Sequence, residues 1–194
     1  MTSNICDGCA KPTPAHESTH SGSQETGYRL LCCSCFNADV AARCGVEGFE
    51  NIRLEPIRLT DGEGMSHEFH FQTRLLGHIV ALEAYELIEG TPAGYKFQMI
   101  GSPEDDLFAL LGRLIERIRR ALAVKHITDD ERFGPHISDR TVRGRIDWDE
   151  EQDGRVPLVV VDGRTFTWDE FGEMLMTFEG SPFRLEISDP SEEP

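Results

Sequence analysis

Cys6, Cys9, Cys32 and Cys35 are the residues of this chain whose type and spacing most clearly suit chemistry. They form two C-x2-C pairs separated by 22 residues. A two-residue gap lets both sulfurs of a pair reach one ion from a tight turn, and Gly8 gives the first turn its conformational freedom. Zinc takes four tetrahedral ligands and suits thiolates, so two matched pairs predict one closed, structural Zn2+ site. Cys33 and Cys44 are left over. Cys33 competes with Cys32 by proximity, but only Cys32 has the two-residue gap to Cys35.

The histidines offer other metal chemistry. His16, Glu17 and His20, in "HESTH", reproduce the H-E-x-x-H spacing by which a helix presents two zinc ligands and a water-activating glutamate. That chemistry needs a packed helix with apolar periodicity. Here Pro12 and Pro14 precede the motif, Ser21 and Gly22 follow it, and the composition predicts a flexible loop between the cysteine pairs. His16 or His20 could replace a cysteine ligand, although four thiolates already saturate zinc. His67 and His70, in "HEFH", are one residue short of the same spacing. In a strand they point to opposite faces, which leaves each at most a single-ligand role. Asp149, Glu151, Asp153 and Gly154 fall where a calcium loop places ligands and its glycine, but the twelfth position is Val160. A hairpin turn is the better expectation. Arg113, Arg117 and Arg120 recur at helical spacing, a basic stripe that reads first as a solvated, carboxylate-paired face and second as a seat for a phosphate or an acidic partner. No G-x-S-x-G elbow, phosphate-binding glycine loop or dinucleotide fingerprint occurs, so no catalytic residue is assigned.

The elements that must position these residues follow from pattern. "YRLL" before the second cysteine pair reads as a strand, and "FNADVAARCG" after it as a helix closed by Gly45. The second pair then sits at a helix N-terminus, where the dipole favours thiolate. "SHEFHFQTRLL", "HIVALEAYELI" and "GYKFQMIG" predict an antiparallel meander. "SPEDDLFALLGRLIERIRRALAVKH" predicts a helix capped by Ser102, with Leu107, Leu111, Leu114, Ile118 and Ala121 or Leu122 against the sheet. "VPLVVV" runs into an Asp162-Gly163 turn. Thr167 and Glu170 then box the start of a helix whose Trp168, Phe171, Leu175 and Phe178 face inward, and "FRLEIS" returns as a strand.

Knuckle, strand, then cysteines at a helix start resembles the treble-clef and zinc-ribbon families over residues 4–48. The resemblance implies a zinc fold and no particular activity. Residues 49–190 resemble bacterial proteins of unassigned function with a zinc-ribbon head, which transfers no active site. The expectation is therefore α+β: a zinc-stapled knuckle in residues 1–48, an antiparallel sheet packed with two amphipathic helices in 49–190, and an acidic tail in 191–194.

Nineteen basic against 35 acidic side chains give a net charge of −16 over 194 residues. Residues 1–60 hold five basic and seven acidic groups, so about −14 lies beyond them. Such charge repels a phosphate backbone at long range. Six cysteines without a signal peptide or an apolar span point to a reducing cytoplasm, away from membranes. These features favour a non-enzymatic module whose partner is another protein. Nucleic-acid binding through Arg29, Arg43, Arg53 and Arg58 is the alternative that the charge disfavours. A hydrolase using His67, His70 or the acidic segment 147–153 is the third reading.

Overall fold

The computed structural model describes residues 3–25, 27–149 and 152–189. Within them the chain is α+β, with antiparallel sheets and three α-helices. β1 (Ser3–Ile5) pairs with β2 (Pro12–Pro14) around the first cysteine pair. A 3-10 turn at Ala15–Glu17 leads into β3 (Ser18–Ser23), which pairs with β4 (Gly27–Cys32). α1 (Cys33–Cys44) follows directly and ends at Gly45, whose φ of 68° is the left-handed cap that glycine adopts freely. The HESTH segment is thus not the flexible loop its composition suggests. Ser18, Thr19 and His20 lie in a hairpin arm whose order comes from pairing with Cys32, Leu31 and Leu30 of β4.

β5 (Ile57–Thr60), β6 (Ser66–Leu76), β7 (Ile79–Ile88) and β8 (Thr91–Gly101) form a meander in sequence order. Phe71, Thr73 and Leu75 of β6 pair with Ala84, Leu82 and Val80 of β7, so one set of alternate residues faces the main core. α2 (Leu107–Leu122) closes that core with Leu110, Leu114, Ile118 and Leu122, a four-residue repeat that keeps one helix face on the sheet. Each such leucine or isoleucine contributes roughly 1.5–3 kcal/mol by leaving water. The helix begins later than its sequence suggests. Asp106, not Ser102, caps it by accepting the Phe108 N–H, while Ser102 and Asp105 close a separate turn between sheet and helix.

A second, smaller core follows. β9 (Ile127–Asp130) and β10 (Gly134–Ile137) form one hairpin, and β11 (Arg145–Trp148), β12 (Pro157–Val161) and β13 (Arg164–Phe166) form a three-stranded sheet. α3 (Trp168–Leu175) carries the expected Thr167–Glu170 capping box and packs on β10, β12 and β13. The two amphipathic helices therefore serve different sheets. Met174 is the buried residue of α3, whereas Trp168 and Leu175 are about half exposed, because the covering sheet is only three strands wide. The acidic segment after Trp148 does form a hairpin connection, with the Gly154 N–H on the Asp149 carbonyl. Glu151 and the tail 191–194 lie outside the described residues. "FRLEIS" forms no strand: among the described residues, 182–187 pair with no other strand, and they stay exposed.

Candidate metal centre

The first cysteine pair is set by a tight turn. The Ala10 N–H bonds to the Cys6 carbonyl at 2.8 Å, and Ala10 itself takes the positive φ of 57°. Gly8 serves a different need from the one its sequence position suggests. A Cβ there would lie 3.0 Å from the Cys35 sulfur, so glycine gives the two pairs the room for their close approach. β4 delivers the second pair, with Cys32 as the N-cap of α1 and Cys35 in its first turn.

The four sulfurs lie within 4.8 Å of one another, and Cys9 Sγ is 3.9 Å from Cys32 Sγ. Thiolates about 2.3 Å from a tetrahedral ion stand about 3.8 Å apart, which matches this spacing. Among the described residues this is the one group of three or more such side chains close enough to share an ion. Backbone N–H groups of Gly8 and Cys32 point at Cys6 Sγ at 3.4 and 3.1 Å. Burial alone would raise the Cys6 pKa, but donors from Cys32, Cys9 and Gly8 outweigh it and bring it to about 6. Burial and the neighbouring thiols push Cys35 up to about 12, and burial raises Cys32. Four sulfurs this close cannot all ionise unaided, and a divalent cation is the group that would let them.

The leftover cysteines look away from this centre. Cys33 Sγ donates to the Thr73 carbonyl at 2.9 Å, across the contact between α1 and β6, and burial raises its pKa. Cys44 packs against the main core. Asn37, one turn beyond Cys33, is buried and bonds to β6 twice, a pair of contacts invisible in the sequence.

The histidines do not gather. His16 sets its ring edge-on to Tyr85, and His20 is exposed. His70 also stacks on Tyr85, while His67 points to the opposite face, as strand parity requires. His67 Nδ1 is 2.8 Å from Glu86 Oε1 and Nε2 is 3.4 Å from Asp61 Oδ2. Lys125 reaches Asp61 and Glu63 at 3.3 Å each, and with the Gly62 N–H on the Leu122 carbonyl it pins the β5–β6 turn to the end of α2. Sequence reasoning missed Asp61 and Glu86, and nothing local to either residue marks them.

The arginine candidates divide. Arg29 and Arg43 both pair with Asp39 at 3.0 Å, and Arg58 pairs with Glu68 at 2.7 Å. Only Arg53 of that proposed phosphate-binding set is exposed without an ion pair among the described residues. On α2, Arg113 is exposed, Arg117 is buried and donates to the Gln98 carbonyl, and Arg120 faces a cavity.

Three stretches of the chain match domain families, each described as a domain of unknown function: residues 5–47 (DUF7685), 50–123 (DUF7686) and 126–192 (DUF7713). No curated protein and no solved structure gave a match. Among the described residues, no helix is long and apolar enough to cross a membrane.

Proposed function

We propose that this chain is an adaptor that binds another protein, with one structural Zn2+ held by Cys6, Cys9, Cys32 and Cys35. The observation that carries the reading is the segment 181–189. Phe183, Leu185 and Ile187 are 90%, 74% and 74% exposed, and they alternate with Arg184 and Glu186, which pair with each other at 3.1 Å. Such a ribbon has one apolar edge and one polar edge, the form of peptide that adds as a strand to an open sheet of another protein. Uncovered apolar side chains in this density mark an interaction surface. The partner we infer is a protein with an unpaired strand edge over an apolar groove, and basic flanks would speed its association with this acidic chain.

The order of the zinc module supports the treble-clef resemblance: a turn carrying Cys6 and Cys9, the β3–β4 hairpin, then Cys32 and Cys35 at the start of α1. The ion supplies a crosslink between turn and helix. Six unpaired cysteines support a reducing compartment such as the cytoplasm.

The test has two arms. Metal analysis of the full chain should give one zinc, lost in Cys6→Ser/Cys9→Ser. Affinity capture should retain a protein on the wild type that Phe183→Ser/Leu185→Ser/Ile187→Ser releases, followed by a one-to-one complex from purified components. Equal capture by both chains would overturn the assignment of the ribbon. Absence of metal would overturn the module.

A further inference from the structure

We propose that the cleft between the meander and the second sheet is a binding site for a small polyphosphate, of the class of nucleoside di- and triphosphates. The cleft is a cavity of 610 Å³. Small-molecule sites occupy roughly 300–1,000 Å³. One wall is β8 and the last turns of α2, and the other is the segment 139–145 with the turn between β12 and β13.

Its charge opposes that of the whole molecule. Lys96, Arg117, Arg120, Lys125, Arg143 and Arg145 line it, against the carboxylates of Asp139 and Asp162, on a chain of net charge −16. Asp162 keeps its charge while its Oδ2 accepts the N–H groups of His126 and Ile127 at 2.7 Å each. Asp139 Oδ1 accepts the Arg140 N–H. Arg145 is paired with Asp147, and Lys125 with Asp61 and Glu63. Arg120 and Arg143 have no ion pair among the described residues, while the Lys96 charge acts on Asp147. Arg120 and Arg143 therefore bring to the cavity positive charge that no salt bridge among the described residues meets, and an anionic ligand would meet it. A polyphosphate carries the required charge, and guanidinium forks match its oxygens.

A second observation comes from Tyr95. It lines the cavity, is 9% exposed, and its hydroxyl has no hydrogen-bond partner among the described residues. A buried hydroxyl without a partner is costly and wants a ligand group or water. The fold makes an effort to place it. Between Tyr85 and Glu86 the β7–β8 register slips, bulging Gly94 and Tyr95 out of the ladder, and the Glu86 carboxylate accepts the Tyr95 N–H at 2.8 Å. Bulges of this kind re-aim side chains beside binding sites. Gly163 leaves its face bare so that the Tyr95 ring can lie against the β12–β13 turn, where a Cβ would stand 2.8 Å from the ring. Burial and the charges of Asp162, Glu86, Asp61 and Glu63 hold the phenol well above its ordinary pKa. Phe97 stacks parallel to Tyr95 at 5.9 Å and extends the same wall with apolar surface suited to the organic part of a ligand.

Titration calorimetry of the full chain at low salt tests this, with ATP, ADP, inorganic pyrophosphate and a single-stranded 12-mer oligonucleotide as probes. ATP or ADP should bind. Pyrophosphate binding as tightly as ATP would assign recognition to the phosphates alone, and weaker binding would add the organic wall. Arg120→Ala/Arg143→Ala changes only exposed side chains and should weaken binding about a hundredfold, whereas Arg113→Ala, on the same helix but outside the cavity, should leave it unchanged. Tyr95→Phe should weaken binding about fivefold without lowering the melting temperature, a combination that a packing role would not produce. No heat with any probe, equal effects of the Arg113 and Arg120/Arg143 changes, or an oligonucleotide binding more tightly than ATP would overturn the proposal.

Discussion

Asn37→Ala is the perturbation that most directly examines how the cysteine module is joined to the sheet. β6 pairs with β7 over residues 69–76, but β5 covers its other edge only as far as Phe69. Beyond that point the Asn37 side chain stands in for the missing strand. Its Nδ2 donates to the Thr73 carbonyl and to Asn51 Oδ1, and its Oδ1 accepts the Leu75 N–H, each at 2.8 Å. In the alanine variant Thr73 keeps the weak Cys33 thiol donor, but the Leu75 N–H is stranded beside a side chain that is wholly buried. An orphaned buried donor costs about 1–3 kcal/mol, and losing the bond to Asn51 adds about 1, for a total of roughly 2–4 kcal/mol. At about 2–4 °C per kcal/mol for a chain of this size, the melting temperature should fall by about 4–16 °C. Amide hydrogen exchange gives the local readout: the Leu75 amide should lose protection more than any amide in the second sheet. A fall of under about 2 °C, within the range of surface substitutions, together with unchanged Leu75 exchange would refute the reasoning.

The remaining predictions concern the loop and the bulge of the meander and the cap of α3. Burial alone would raise the pKa of Asp61, but N–H groups of Met65 and Glu63, with His67 and Lys125, bring it from 3.8 to about 2. A depressed folded pKa stabilises the fold above the unfolded value, and that contribution drains away as pH falls from about 4 to about 2. Asp61→Asn should therefore flatten the stability-versus-pH curve in that window, and an unchanged slope there would contradict the network. Gly94 has φ +69°, and a side chain there would collide with the Glu86 carboxylate. Gly94→Ala should destabilise by about 2–4 kcal/mol in urea unfolding, combining left-handed strain with overpacking. Thr167→Ala removes the reciprocal cap of α3, and the same assay should show a loss of about 1 kcal/mol.

Most of what the sequence made legible was local. The β4–α1 junction, the three long strands of the meander, the Asp162-Gly163 turn and the Thr167–Glu170 box are each set by residues within a few positions of one another. Where the structure departs from expectation, a distant partner decided the matter. β3 is ordered because β4 lies beside it, which no property of serine or threonine announces. "FRLEIS" has strand alternation but meets no sheet edge among the described residues, so its periodicity went unanswered. At the cysteine centre, the spacing that brings the four sulfurs together was written in the sequence, whereas the outward turn of Cys33 toward Thr73 depended on where β6 runs. The basic stripe shows the same limit. Arg117 and Arg120 share a helix face in any reading, but Lys96, Lys125, Arg143 and Arg145 join them only through the fold.

The joining of α1 to β6 also explains why a small cysteine module should precede this sheet. An edge strand with unpaired backbone groups is a template for aggregation, and proteins shield such edges with a covering element. Here the cover is a helix of twelve residues, shorter than a helix that persists alone in water. Its first turn is tied to the cysteine centre through Cys32 and Cys35, its middle to the β6 edge through Asn37, and its far end to the main core through Val40 and Cys44. On the zinc-stapled reading, the ion therefore stabilises more than the first 48 residues, because the helix that it anchors is the lid on the exposed half of β6. Chelation should then loosen the protection of Leu75 as Asn37→Ala does, while the second sheet, which shares no side chain with the centre, keeps its own.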